Sequence, residues 1–327
     1  MGYRDWEAIL FASSPEIVGC SYKRNVSLRN YRRTSVARPD GDLSVLVSGN
    51  ESARAVILLH GMRDHAHSMI DLAKHFDPEY RIILPDLRGH GESSSSGGYS
   101  MIQFVADIRS VVCEFNVEKP ILIGHSLGGH VLSRYTASYP EEVEALVLLD
   151  GMGPPSEHEP PSALEIRNRW QAGLNTVVDQ FNWLKPMADL AEAQQRLCRN
   201  NPGLSDELAQ KLVAEGVKSH PDGGIRWKWD PTVNMVWQTF SHQESETLMQ
   251  FITCPTLIVT GDNGLAYWIN GRFDRDISED WYQSELSRRV QLFGDARSVV
   301  IADAGHMLHY DQPDEVNRVI RDFLQNR

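Results

Sequence analysis

The chain has 327 residues, 41% of them hydrophobic and 23% charged, with a formal net charge of −12. That length suffices for a large core in one or two domains. The acidic balance excludes nucleic acid or an anionic membrane surface as the main partner, since both attract basic patches, and no apolar run approaches the roughly 20 residues that span a bilayer. In chain order, the opening Met1-Gly2-Tyr3-Arg4-Asp5-Trp6-Glu7 is charged and lacks the apolar stretch of a secretory signal. Residues 1–20 have little periodicity and read as a loosely held arm. Val26 to Thr34 and Leu43 to Val47 alternate around Pro39-Asp40-Gly41, which predicts an antiparallel hairpin at a sheet edge.

Ala53 to His60 is a near-continuous apolar run, the signature of a strand buried on both faces. It runs into His60-Gly61-Met62. Residues 65–77 carry a helical pattern through Ile70, Leu72, Ala73 and Phe76. Tyr80 to Pro85 is the next strand, followed by Asp86-Leu87-Arg88-Gly89-His90-Gly91-Glu92-Ser93, whose Asp86, Arg88 and His90 read as loop-bracing groups. Tyr99 to Phe115 reads as a helix. Ile121 to Ile123 is a short buried strand that enters Gly124-His125-Ser126-Leu127-Gly128, and Val131, Leu132 and Tyr135 then recur at helical spacing. Val143 to Leu149 is another buried strand, ending at Asp150-Gly151. Such strand–helix alternation means a mostly parallel sheet with helices on both faces, and ligands bind such sheets beyond the carboxyl ends of the strands. His60, Asp86, Ser126 and Asp150 all fall at those ends.

The pattern changes at Pro154, Pro155, Pro160 and Pro161, which mark a linker. Residues 162–250 lack buried strand runs, and Leu164 to Leu174, Ala188 to Leu197 and Ser205 to Val217 read as amphipathic helices. The sheet pattern resumes at Cys254 to Gly261, followed by Asp262-Asn263. Residues 264–295 are longer than a simple crossover needs. Arg297 to Ala302 is the last strand and leads to Gly305-His306; a helix from Pro313 to Leu324 closes the chain. The expected organisation is a core in two parts, residues 1–153 and 251–327, with a helical cap at residues 154–250. Cys20, Cys113, Cys198 and Cys254 are scattered without a C-x-x-C pair, as expected of buried, reduced thiols in a cytoplasmic protein.

Gly124-His125-Ser126-Leu127-Gly128 is a G-x-S-x-G motif in a strand–turn–helix context, where a serine on a sharp turn is exposed at the sheet's carboxyl edge. A serine hydroxyl is a poor nucleophile at neutral pH: it needs a base, and the base needs an acid to orient it. Ser126, Asp262 and His306 supply these in the chain order Ser, Asp, His. No cluster has metal-ligand spacing and no Gly-rich loop has phosphate- or dinucleotide-binding form, so neither metal nor cofactor is expected.

His60-Gly61, Asp86 to Ser93, Gly124 to Gly129, Gly261-Asp262 and Gly305-His306 together resemble the α/β-hydrolase superfamily, within it the capped esterase, lactonase, C–C hydrolase and epoxide-hydrolase-like group. Leu149 to Pro155 is similar to the corresponding stretch of serine hydrolase-like proteins. The resemblance implies an α/β-hydrolase fold: a mostly parallel eight-stranded sheet flanked by helices, with a helical cap inserted after the sixth strand. It implies Ser126 as nucleophile, His306 as base and Asp262 as acid, with Asp150 as the alternative acid. The N–H groups of Met62 and Leu127 would form an oxyanion hole, His60, Gly61 and His125 would support it, and Trp227, Trp237 and Trp268 would line a substrate pocket. The expected activity is hydrolysis of an ester, lactone or thioester of a small hydrophobic molecule through an acyl-enzyme on Ser126. The alternatives are a C–C bond hydrolase, lyase or cofactor-free oxygenase with His306 moving protons, and a non-catalytic ligand receptor. Serine in place of a nucleophilic aspartate argues against dehalogenase and epoxide hydrolase chemistry. The expected partner is a small molecule, with a homodimer as the alternative to a monomer.

Overall fold

Period-two alternation within the buried strands divides their side chains between two cores, and the sheet is the wall between them. A computed structural model describes residues 31–76, 79–95, 97–153, 155, 162–178, 185–238, 240–269 and 278–327. The strands in these residues are β1 (Arg32–Val36), β2 (Leu43–Ser48), β3 (Arg54–Leu59), β4 (Tyr80–Pro85), β5 (Ile121–His125), β6 (Ala145–Leu149), β7 (Val217–Ser219), β8 (Ile225–Trp227), β9 (Thr256–Gly261) and β10 (Ala296–Ile301). Eight of them form one sheet in the order β1-β2-β4-β3-β5-β6-β9-β10. The β1–β2 and β2–β4 pairs are antiparallel, and the pairs from β4 through β10 are parallel. This is the mostly parallel eight-stranded sheet that the resemblance implies. The N-terminal arm and residues 26–30 of the expected first strand lie outside the described residues.

On one face Ile57, Leu59, Leu122, Leu146, Leu148 and Ile258 pack against the helices Met101–Glu114 and Leu127–Ser138. On the other, Val56, Leu58, Ile121, Ile123, Val147, Leu149 and Val259 pack against the turns of residues 66–76 and the helix Pro313–Gln325. Burying each such side chain contributes about 1.5–3 kcal/mol. The terminal helix turns Val316, Val319, Ile320 and Phe323 inward, with Pro313 in its first turn. Met101–Glu114 starts at Ser100, whose N–H donates to Gln103 Oε1 at 3.0 Å.

The chain leaves the sheet after β6 and returns at β9. Between them lie the helices Ala163–Val178, Leu190–Asn200, Asp206–Gly216 and His242–Met249, together with the antiparallel β7–β8 hairpin. The hairpin was not evident in the sequence: its strands are three residues each and mostly half-exposed, so they leave no apolar run. Ser205 caps its helix by accepting from Leu208 N. This inserted segment meets loops at the sheet's carboxyl edge and the helix Leu127–Ser138. His65 Nε2 bonds Leu212 O at 3.0 Å, Asp230 N donates to Gly89 O at 2.7 Å, and Arg134 Nη2 donates to Ser245 Oγ at 2.5 Å.

Cys113, Cys198 and Cys254 are free thiols. Cys254 is buried, but Cys113 is exposed because it falls on the outer face of its helix. Among the described residues no helix is long and apolar enough to cross a membrane.

The helix Leu127–Ser138 approaches the sheet so closely that Gly128 has no room for a side chain: a Cβ there would sit 2.4 Å from Leu59 O. Gly128→Ala is therefore expected to destabilise the fold by about 1–3 kcal/mol, as overpacking does. A chemical denaturation curve with an unchanged midpoint would contradict that packing.

Candidate active site

Ser126 sits between β5 and the helix Leu127–Ser138 with φ 49° and ψ −118°, a backbone conformation rare for a residue with a Cβ. Such strain costs on the order of 1–3 kcal/mol and persists only where the surroundings enforce it. Here they do. Ser126 N donates to Leu149 O at 3.0 Å, and Ser126 O accepts from His130 N at 3.1 Å. The turn aims Oγ at the carboxyl edge, where it lies 3.0 Å from His306 Nε2.

His306 follows β10 and is 8% exposed. Its Nδ1 lies 2.5 Å from Asp150 Oδ2. Ser126, His306 and Asp150 thus form one hydrogen-bonded line, in which an alcohol proton can pass to an imidazole whose far side faces a carboxylate. Asp150 directly follows β6 with φ 42°, its N–H bonded to Val259 O at 2.8 Å, and is 4% exposed. Trp268 Nε1 donates to both Asp150 oxygens at 3.1 Å.

The expected pairing of Asp262 with His306 is not the one the structure holds. Asp262 lies just past β9 and is exposed, and its carboxylate accepts from Asp303 N at 3.0 Å, Ala304 N at 3.1 Å and Asn263 Nδ2 at 2.9 Å. It braces the loop that leads to His306. The physical reason is the loop's own geometry: Gly261 passes so close to Ala304 that a Cβ would fall 2.0 Å from its carbonyl oxygen, which leaves Asp262 beside the 303–304 N–H groups.

The supporting residues tie neighbouring loops together. His60 Nδ1 bonds Gly61 O at 2.7 Å, while its Nε2 accepts from Leu87 N at 3.0 Å. Gly61 lies against the serine turn: a Cβ on it would come 2.7 Å from His125 Nδ1 and 3.2 Å from Ser126 Cβ. That places the Gly61-Met62 segment beside Ser126, with Leu127 opening the helix on the adjacent side. His125 Nε2 donates to His306 O at 2.9 Å. Asp86 accepts from Ala66 N at 2.7 Å and Glu92 N at 3.1 Å. Arg88 grips Asp107 at 2.6 Å and Asp40 at 3.0 Å, and His90 Nδ1 bonds Arg88 O at 2.9 Å. These three brace loops, as the sequence suggests.

The three candidate pocket tryptophans have different settings. Trp227 packs with Met187, Val213 and Val217 inside the inserted segment. Trp237 stands edge-on to His130 at 5.1 Å. Of the three, Trp268 reaches the Ser126–His306–Asp150 line, bonding Asp150 and standing edge-on to His306. Sequence reasoning passed over its neighbour Tyr267, whose ring stacks on His306 at 3.6 Å and 4°. Its position five residues beyond Asp262 was the available signal. Among the described residues no group of three or more His, Cys, Asp or Glu side chains is arranged to hold a metal ion.

A family model described as alpha/beta hydrolase fold matches residues 54–313. The chain is similar to the serine hydrolase-like protein of Danio rerio, 28% identical over 92% of this chain and 93% of that protein. It is also similar to esterase YbfF of Escherichia coli (strain K12), 25% identical over 83% of this chain and 93% of the esterase. Among solved structures, the thioesterase domain from the curacin biosynthetic pathway matches with a TM-score of 0.71 and 23% identity, over 89% of this chain and 99% of that one. That likeness is one of fold.

Behind this hydrogen-bonded line stand further buried histidines. His309 lies 4.5 Å from the His125 ring, and both its ring nitrogens are buried without partners. Burial, with the neighbouring His306 adding to it, brings its pKa down to about 3. Burial likewise lowers His60 to about 3. Between the ordinary value of 6.5 and about 3, the unfolded chain takes up a proton that the folded chain refuses, so stability falls as pH drops through that window. The melting temperature should decline from pH 7 to pH 5, and less steeply in His309→Phe. Equal slopes in the two proteins would contradict the assignment.

Proposed function

Because the chain belongs to the alpha/beta hydrolase fold family, we propose that it is a serine hydrolase that cleaves an ester or thioester of a small hydrophobic acid through an acyl-enzyme on Ser126. The observation that carries this reading is the unbroken line from Ser126 Oγ to His306 at 3.0 Å and on to Asp150 at 2.5 Å. Relatives named as a serine hydrolase-like protein and an esterase support it.

In the proposed reaction Ser126 Oγ attacks the substrate carbonyl carbon and His306 Nε2 takes its proton. The carbonyl oxygen becomes an anion, which the N–H groups of Leu127 and Met62 bind; the positive end of the Leu127–Ser138 helix dipole adds to this. The imidazolium then gives its proton to the departing alcohol or thiol, leaving an acyl group on Ser126. A water, deprotonated by His306, adds to that acyl group, and the free acid leaves as Oγ regains its proton. Asp150 holds the Nδ1–H tautomer and offsets the imidazolium charge in both halves. Asp262 takes no part beyond bracing the 303–304 loop.

The inserted segment between β6 and β9 serves as the cap in this reading, since it docks on the carboxyl-edge loops. Tyr267, 43% exposed and stacked on His306, offers an aromatic surface beside the reacting atoms, which suits a hydrophobic substrate. The free thiols suit a reducing compartment, and the proposal places the enzyme in the cytoplasm.

The test compares turnover of a chromogenic short-chain ester by three variants. Ser126→Ala should lower kcat on the order of a millionfold, as loss of a serine nucleophile does. Asp150→Asn should cost about ten-thousandfold, the loss seen when a triad acid is neutralised. Asp262→Asn should stay within about tenfold of wild type and melt at a lower temperature, having weakened a buttress worth about 1 kcal/mol per hydrogen bond. Undiminished turnover in Ser126→Ala would refute the acyl-enzyme. A deeper loss in Asp262→Asn than in Asp150→Asn would return the acid role to Asp262.

A further inference from the structure

The chain just past β9, where a carboxylate was expected to reach the histidine, instead sends two aromatic rings to the triad. Both belong to the short helix Gly264–Ile269. The Trp268 indole N–H sits in the fork of the Asp150 carboxylate, 3.1 Å from each oxygen, and the residue is 4% exposed. The Tyr267 ring lies flat on the His306 imidazole, centroids 3.6 Å apart and planes 4° apart.

We propose that Tyr267 and Trp268 are positioning residues of the reaction: Trp268 fixes the Asp150 carboxylate and Tyr267 fixes the plane of the His306 ring. The inference rests on the reading of Ser126, His306 and Asp150 as the catalytic line.

The need for both follows from the geometry. A carboxylate that bonds an imidazole through one oxygen can still swivel about its Cβ–Cγ bond. Among the described residues, the side chains that donate to Asp150 are His306 and Trp268. A donor shared between both oxygens holds the carboxylate plane, and with Asp150 4% exposed the bond gains from a low local dielectric. The imidazole has the same problem one bond further on. Its two nitrogens must face Ser126 and Asp150 at once, and both contacts loosen if the ring rotates about Cβ–Cγ. A ring stacked flat on it opposes that rotation, while Trp268 stands edge-on at 5.2 Å and His125 lies at 4.9 Å. His125 further anchors the His306 backbone through its carbonyl. Asp150 therefore comes from β6 while its restraint comes from the segment after β9, and the catalytic line is assembled from both.

The test uses the full chain and a fluorophosphonate probe, following kinact and KI for labelling of Ser126. Trp268→Phe should lower kinact about tenfold and leave KI unchanged. In an Asp150→Asn background the same change should cost nothing more, because the charge that the indole N–H holds is gone. Tyr267→Phe keeps the stacked ring and should label several-fold faster than Tyr267→Ala, which loses it. Wild-type kinetics in Trp268→Phe would overturn the proposal, as would an equal loss in both backgrounds, which would mark Trp268 as packing alone. Should Trp268→Phe not fold, as judged by circular dichroism, the Tyr267 pair decides: equal rates for Tyr267→Ala and Tyr267→Phe overturn it. A wild-type chain that takes no label on Ser126 would overturn the triad reading itself, and a labelled wild type with indifferent variants would overturn this proposal alone.

Discussion

The contact between Asp150 and His306 is the one on which the rest of the site depends. A carboxylate removed from water is costly unless paired and hydrogen-bonded. Asp150 is 4% exposed, and the imidazole on one oxygen and the indole N–H across both are what make its burial tolerable. In turn the carboxylate fixes which nitrogen of His306 carries the proton. That leaves Nε2 free to accept from Ser126, the contact that in the proposed reaction turns a poor nucleophile into a usable one. Remove the carboxylate, and the imidazole loses both its tautomer and its compensation when charged.

The sheet order makes this contact possible. β5, β6, β9 and β10 are consecutive neighbours, so the serine after β5, the aspartate after β6 and the histidine after β10 face one rim across four strands. Asp150 sits between the other two, and its positive φ turns the chain at the strand end. Strain at Ser126 is sustained by the same architecture. Gly124, Gly128 and Gly129 let the helix lie directly on the sheet, so that the turn between them has one available path. His125 links the two ends, holding the His306 backbone while its own ring lies against the next histidine, His309.

Much of this was legible in the residues. Unbroken apolar runs such as Ala55 to Leu59 and Ala145 to Leu149 announced strands buried on both faces, and the two-core division explains why those runs show no polar face. The meeting of Ser126 with His306 was legible because a motif and a strand end marked each. The carboxylate partner of His306 was not. Asp150 and Asp262 each follow a strand directly, and nothing in local sequence says which carboxylate will meet an imidazole and which will meet the 303–304 N–H groups. That choice depends on how two distant loops pack. Three helices of the inserted segment were foreseen from their periodicity, whereas the helix His242–Met249, the β7–β8 hairpin and the place of each tryptophan were not; they depend on tertiary contacts that leave no local pattern. Trp268 is the sharpest instance: its composition reads as pocket lining, and its indole N–H serves a carboxylate.

Proton NMR of the isotopically labelled protein in water tests the central contact most directly. A short hydrogen bond between imidazole and carboxylate deshields its proton strongly. The account predicts a far-downfield His306 Nδ1–H resonance that is present in the wild type, absent in Asp150→Asn and retained in Asp262→Asn. A resonance that survives Asp150→Asn, or disappears in Asp262→Asn, would contradict it.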